Sequence, residues 1–191
     1  MVPHGEYQAS DWVQRWSHLV TANAQILDVA CGNGRHMQWF AKLGCHCTGI
    51  DRSTDAISAA GQFGVAIQAD IESGAWPLMC DTQPQTFDVV VVTNYLWRPL
   101  FPTLLQSLAP GGLLLYETFA IGNESVGKPS RPDFLLHPGE LLQFSQRLQV
   151  VAFEDGFLPN PDRFVQRIAA FKPSALCNAM QPPVRHLLSL K

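Results

Sequence analysis

Apolar and polar positions along this chain switch period repeatedly, and the switches mark out elements. Residues 9–20 (ASDWVQRWSHLV) repeat Trp12, Trp16 and Leu19 at helical spacing, with Asp11 near the start. A short apolar run at 26–30 reads as a strand and leads into the glycine-rich CGNG. Residues 34–44 place Met37, Phe40 and Ala41 on one helical face, with Gly44 as the stop. Strands follow at 45–50 and 65–69, separated by a helix that Ser53 caps and that runs through Ala60. A loop rich in Gly, Pro and Asp covers roughly 72–86.

The run FDVVVVTN at 87–94 is continuous and β-branched, as in a parallel strand buried on both faces. Residues 99–108 read as a helix ended by Pro110-Gly111-Gly112, and 113–119 (LLLYETF) as the next strand. Pro138 and Glu140 open a short helix to about Gln146. Two last strands, 148–154 and 163–171, are joined by a Gly/Pro/Asn/Asp turn region at 156–162, which predicts an antiparallel pair. The alternation predicts an α/β fold: a doubly wound, mostly parallel, seven-stranded Rossmann-like sheet with a C-terminal antiparallel hairpin. One domain over 1–172 is expected, followed by a tail at 173–191 that carries Pro182-Pro183.

Composition narrows the class. The chain has 191 residues, 47% hydrophobic and 15% charged, well below the usual ~25% charged. Disorder is therefore excluded, and no disulfide or metal is needed to fold. The net charge of −3 argues against a general polyanion binder, while leaving room for a local basic mouth over RNA. Five cysteines (Cys31, Cys45, Cys47, Cys80, Cys177) follow no framework spacing and are read as reduced thiols. No targeting leader or membrane span is visible, so a cytoplasmic location is expected. Cys45-His46-Cys47 is not a metal signature, because in a strand the thiols face one side and the imidazole the other.

In open α/β sheets ligands bind beyond the carboxyl ends of the strands, so those ends carry the chemistry. The first reads Asp28-Val29-Ala30-Cys31-Gly32-Asn33-Gly34. Gly32 and Gly34 allow a sharp turn and a close ligand approach, and the following helix points free N–H groups at the same place. A dinucleotide fingerprint would need a third glycine where Met37 stands. Asp28, just ahead of the turn, would oppose a pyrophosphate and suits a cationic ligand. The second strand ends at Asp51, where a carboxylate can accept two ribose hydroxyls, a device that NAD-binding folds share. The third ends at Asp70 and Ile71, the fourth at Asn94 and Tyr95. Each of these singly also fits a turn or cap.

LDVACGNG resembles the first motif of the class I S-adenosylmethionine-dependent methyltransferases, and the later strand ends fit the same family. The resemblance implies that Asp28, Ala30, Cys31, Gly32 and Gly34 bind S-adenosylmethionine, with S-adenosylhomocysteine as product. It implies that Asp51 holds the ribose, that Arg52 and Ile71 flank the adenine, that Asp70 takes its amino group, and that Asn94 lies near the methyl. NYLWRPLFP (94–102) and YETFAIGNESVGKPSRPDFLLHPGEL (116–141) resemble a narrower group, small bacterial methyltransferases labelled tellurite-resistance-like. This likeness spans about 10–170 and does not name a substrate.

Residues 119–137 form a long loop without periodicity on the ligand side of the sheet, carrying Asn123, Glu124, Lys128, Arg131, Asp133 and His137. A solvated surface loop is one reading; a lid that excludes water from the acceptor is the other. As a lid it would let Arg98, Lys128 and Arg131 form an anionic substrate pocket. Methyl transfer is an in-line displacement from an excellent leaving group, so alignment is the protein's main task. Glu117, Tyr95 and His137 are the candidate bases where the acceptor must lose a proton; a buried structural role fits Glu117 equally. His36 reads as a packing or capping residue.

The Asn-Pro-Pro-Tyr type segment of base amino-group methyltransferases is absent, since Asn94 precedes Tyr95-Leu96-Trp97. No cysteine lies between 81 and 176 to serve cytosine C5 chemistry. The expected function is methyl transfer to a small molecule, an anionic one where Arg98, Lys128 and Arg131 form its pocket, by a monomer or homodimer without membrane contact. RNA or protein as acceptor, a nicotinamide oxidoreductase and a non-catalytic S-adenosylmethionine binder are the alternatives.

Overall fold

The structure is a computed structural model and describes residues 8–174 and 185–188; Cys177 and Pro182-Pro183 lie outside these residues. In chain order the strands are β1 (Gln25–Val29), β2 (His46–Asp51), β3 (Val65–Gln68), β4 (Met79–Cys80), β5 (Gln83–Pro84), β6 (Phe87–Thr93), β7 (Leu108–Phe119), β8 (Gln149–Leu158) and β9 (Arg163–Phe171). The helices are α1 (Asp11–Trp16), α2 (Arg35–Lys42), α3 (Thr54–Ala60), α4 (Phe101–Gln106) and α5 (Glu140–Phe144), with short 3-10 turns between them.

Seven strands form one sheet in the order β3-β2-β1-β6-β7-β9-β8. The pairs from β3 to β7 are parallel, and β9 runs antiparallel to both of its neighbours. The terminal pair is thus antiparallel, as its short connection requires, and its second strand sits inside its first. β4 and β5 make a separate small hairpin within the 72–86 loop.

Alternation along the central strands divides the core into two layers. Leu27, Val29, Val90, Val92, Leu114 and Tyr116 face α4 and α5. Ile26, Val89, Val91, Leu113 and Leu115 face Trp12, Trp16, Met37 and Phe40 of α1 and α2. Both faces of β1 and β6 are therefore covered, which explains the unbroken apolar run at 89–92.

Several boundaries move for local reasons. α1 is capped by Ser10, whose hydroxyl accepts from the N–H of Val13, and the turn then tightens to 3-10 over Ser17–Leu19. The Pro110-Gly111-Gly112 stop is knitted into the sheet: Gly111 N–H donates to the Lys172 carbonyl, and Gly112 accepts from Lys172. That ladder extends β7 back to Leu108, across a register shift between Phe87 and Val89. The 119–137 loop is ordered, with 3-10 turns at Asn123–Ser125 and Pro132–Phe134. Its ends meet at an Ala120–Leu136 bridge.

Candidate functional site

At the carboxyl end of β1 the chain turns sharply. Ala30 is left-handed with φ of 53°, which costs about 1–2 kcal/mol for a residue bearing a Cβ. Asn94, at the end of neighbouring β6, takes the same conformation with φ of 55°. Two strained residues side by side at strand ends mark a functional rim. Gly34, with φ of 79°, is also pressed against α3: a Cβ there would lie 3.0 Å from the Cα of Ala60.

The Asp51 carboxylate binds two backbone amides, Gly32 and Ser53, each at 2.9 Å. It thereby fastens the glycine turn to the start of α3, whose N-cap is Ser53. Asp70 caps its own turn, accepting from the N–H of Glu72 and the hydroxyl of Ser73. Those two bonds hold its pKa below the ordinary carboxylate range. Asp51, Arg52, Asp70, Ile71 and Tyr95 line a cavity of about 140 Å³ that Ala30 closes at one side.

Asp28 is buried, 1% exposed, and neither carboxylate oxygen has a hydrogen-bond partner. Nδ1 of buried His36 is 3.7 Å from it. Nε2 of the same ring accepts from the N–H of Ser10, so a neutral His36 carries its proton on the Asp28 side. A buried carboxylate without hydrogen bonds is costly, and it is the kind of group that a bound cation satisfies. Burial lowers the pKa of nearby Arg35; Asp28 and Glu117 pull it back up, and Arg163 pushes it down.

Arg35 opens onto a second cavity of about 700 Å³, which Ala30 also lines. Its floor is Gly32, Thr93 and Asn94; its walls come from Phe119 at the end of β7, Asn123 to Lys128 in the loop, and Pro161 to Arg163 before and at the start of β9. Asn123 fixes the loop wall. It is 1% exposed, donates to the Pro129 carbonyl and accepts from the N–H of Phe164.

Residues 26–112 match a family described as a methyltransferase domain. The ubiquinone biosynthesis O-methyltransferase of Burkholderia ambifaria (strain MC40-6) is 30% identical over 114 residues, covering 56% of this chain and 48% of that protein. The chain thus spans about half the length of the curated relatives it matches. TehB from Haemophilus influenzae superposes with a TM-score of 0.68 at 18% identity, covering 85% of this chain and 61% of that one. A TehB-like S-adenosylmethionine-dependent methyltransferase from Corynebacterium glutamicum gives 0.58 at 18% identity, covering 85% and 87%. Over residues 26–112 the chain is therefore similar to methyltransferase domains.

The fold is the Rossmann-like one of class I methyltransferases, and the likeness to TehB agrees with the resemblance of residues 94–102 and 116–141. S-adenosylmethionine is the cofactor expected from the sequence, and the residues present fit it. An uncompensated buried carboxylate suits an ammonium, and the walls of the smaller cavity offer Ile71 beside polar Asp51 and Asp70.

The structure brings Ala30, Asp51, Arg52, Asp70, Ile71 and Tyr95 around the smaller cavity. Ala30, Cys31, Gly32 and Asn94 border the larger one. Six sequence candidates line neither cavity: buried Asp28 and Gly34 at the β1 turn, Glu117 on β7, and Arg98, Arg131 and His137. Arg98 is a brace: it binds the Glu140 carboxylate and the carbonyls of Asp133 and Leu135, so its guanidinium is consumed in holding the loop. Arg131 is exposed, paired with Asp133 and lying over Phe134. His137 uses its backbone to bind Glu140 and Gln166, and its ring lines neither cavity.

Of the candidate bases, Glu117 is buried and paired with Arg167 at 3.4 Å, an Arg that also binds Glu154. Burial, with the Glu72 charge beside it, raises the pKa of Tyr95 well above its ordinary value, so its phenol stays protonated near neutrality. The anionic pocket expected from Arg98, Lys128 and Arg131 retains only Lys128; the cations that line the cavity with it are Arg35 and Arg163. Arg35 was legible in principle, as a cation on the first turn after the glycines. Arg163 was not, because only the β8/β9 pairing carries it to this rim.

Proposed function

We propose that this protein transfers the methyl group of S-adenosylmethionine to a small-molecule acceptor. The observation that carries this reading is the buried Asp28 carboxylate, without hydrogen bonds, behind a glycine turn that Asp51 pins. A diphosphate cofactor is disfavoured there by charge. Asp28 would bind the ammonium of the methionyl group and Arg35 its carboxylate. Asp51 would hold the ribose, with Asp70, Ile71 and Arg52 around the adenine. Asn94 lines the larger cavity, near where the methyl would point.

The bound cofactor supplies an electrophilic methyl on a positively charged sulfur. The chain's own residues bind, orient and exclude water. Tyr95 is kept protonated and Glu117 is engaged by Arg167, and this favours an acceptor whose nucleophilic atom is already free to react. The acidic balance and the compact cavity favour a small acceptor over RNA, which needs a broad basic surface.

The test is calorimetry with S-adenosylhomocysteine, followed by radiolabelled methyl transfer into a low-molecular-weight extract and into total RNA. Heat of binding and label in the extract are expected. Absence of heat removes the cofactor assignment, and label in RNA alone removes the small-molecule assignment.

A further inference from the structure

Two cations besides Arg35 line the larger cavity. Arg163 enters from the start of β9, and Lys128 from the loop after β7. Nε of Arg163 is buried without a hydrogen-bond partner. Arg163 and Arg35 line the same cavity, and the charge of Arg163 opposes that of Arg35. Like charges do not converge on one cavity without an energetic reason, and the orphaned donor adds a desolvation cost. Asp162 is the acidic side chain on the same wall, so the wall keeps a cationic excess. Between these groups lie the apolar faces of Phe119 and Val126.

We propose that this cavity recognises a small organic anion as methyl acceptor, its charged group held by Arg163 and Lys128 and its apolar body lying on Phe119 and Val126. The inference rests on the methyl-transfer reading and sharpens it by giving the acceptor's chemical class. Arg163 supplies a planar fork matched to two oxygens, whereas Lys128 supplies a point charge. Arg35, which also binds the Gln8 carbonyl and the Thr93 hydroxyl, is assigned to the donor's own carboxylate, so the two anions are met by different cations. Since no free base faces the cavity from Glu117 or Tyr95, the cations also serve to hold a nucleophile that arrives without a proton to lose.

The experiment titrates the S-adenosylhomocysteine complex with three probes of one shape: benzoate, phenyl phosphate and benzamide. At least one anion is expected to bind in the millimolar range or tighter, with benzamide silent. Benzoate against phenyl phosphate tells carboxylate from phosphate recognition. Arg163→Gln should weaken the anion about ten- to a hundredfold, and Lys128→Met by less, while S-adenosylhomocysteine binds as before. Benzamide binding as well as the anions, or no probe binding to a complex that does form, overturns the proposal. Failure of S-adenosylhomocysteine itself to bind overturns instead the reading beneath it, so the two failures are distinct.

Discussion

At the donor end of the sheet, the two carboxylates of the smaller cavity, Asp51 and Asp70, bind partners close along the chain. Asp70 reaches Glu72 and Ser73, and Asp51 reaches Ser53 and Gly32, 19 residues away at most. At the acceptor end the partners are remote. Asn123 accepts from Phe164 across 41 residues, Arg98 meets Glu140 across 42, and Arg167 meets Glu117 across 50. The first region is a short-range construction that one strand-turn-helix and its neighbour largely complete. The second exists only once the far half of the chain has been assembled around it.

If this contrast holds, damage at the acceptor end should appear first as lost stability, and damage at the donor end as lost cofactor affinity. The largest effect is expected from Arg167→Met, which leaves buried Glu117 without its cation. About 3–5 kcal/mol of unfolding free energy should be lost in a denaturant titration. Adding Glu117→Gln should recover part of it. The next is Asp28→Asn, expected to weaken S-adenosylhomocysteine by about 1–3 kcal/mol in calorimetry. The same change relieves a buried charge, so the free protein should melt at a higher temperature even as the ligand binds less well.

Arg98→Ala should cost about 1–2 kcal/mol, discounted because its side chain is partly hydrated, with cofactor affinity intact and the 119–137 loop opened to limited proteolysis. Glu140 gives the same brace a pH signature. Burial works against its charge, but Arg98 and the N–H of His137 outweigh that and leave its pKa below the usual value. A depressed folded pKa stabilises above the unfolded value of about 4.3 and is lost as pH falls through the folded one. Loop protection should therefore fade on acidification below that point, and the fade should be missing in Glu140→Gln. The smallest effect is expected from Arg131→Ala. Its exposed pair with Asp133 should be nearly neutral for stability, and turnover should not change. A clear loss of turnover would place that side chain in the acceptor site after all.

The same contrast explains what could be read from the sequence. β1, α2, β2 and α3 were legible because their signals are local: apolar runs, glycines at the turn and Ser53 as a cap. The proposed donor residues were picked out because ligands of a parallel sheet bind beyond its strand ends. Arg98 looked like a free cation, since its partner lies on α5, a helix whose docking the local pattern does not specify. The backward extension of β7 was hidden for a related reason: Pro110-Gly111-Gly112 is a stop signal until Lys172 supplies the bonds that make it part of the ladder.

The insertion of β9 between β7 and β8 has a consequence for how the molecule is made. The outer edge of β7 has no neighbour until residues 163–171 are available to fill the gap. During synthesis the parallel half can assemble early, but it carries an open, apolar strand edge that invites pairing with other chains until the final piece arrives. Closure of that seam also delivers Arg163 and Arg167, so a ribosome-bound chain with the donor half already formed still lacks its acceptor wall.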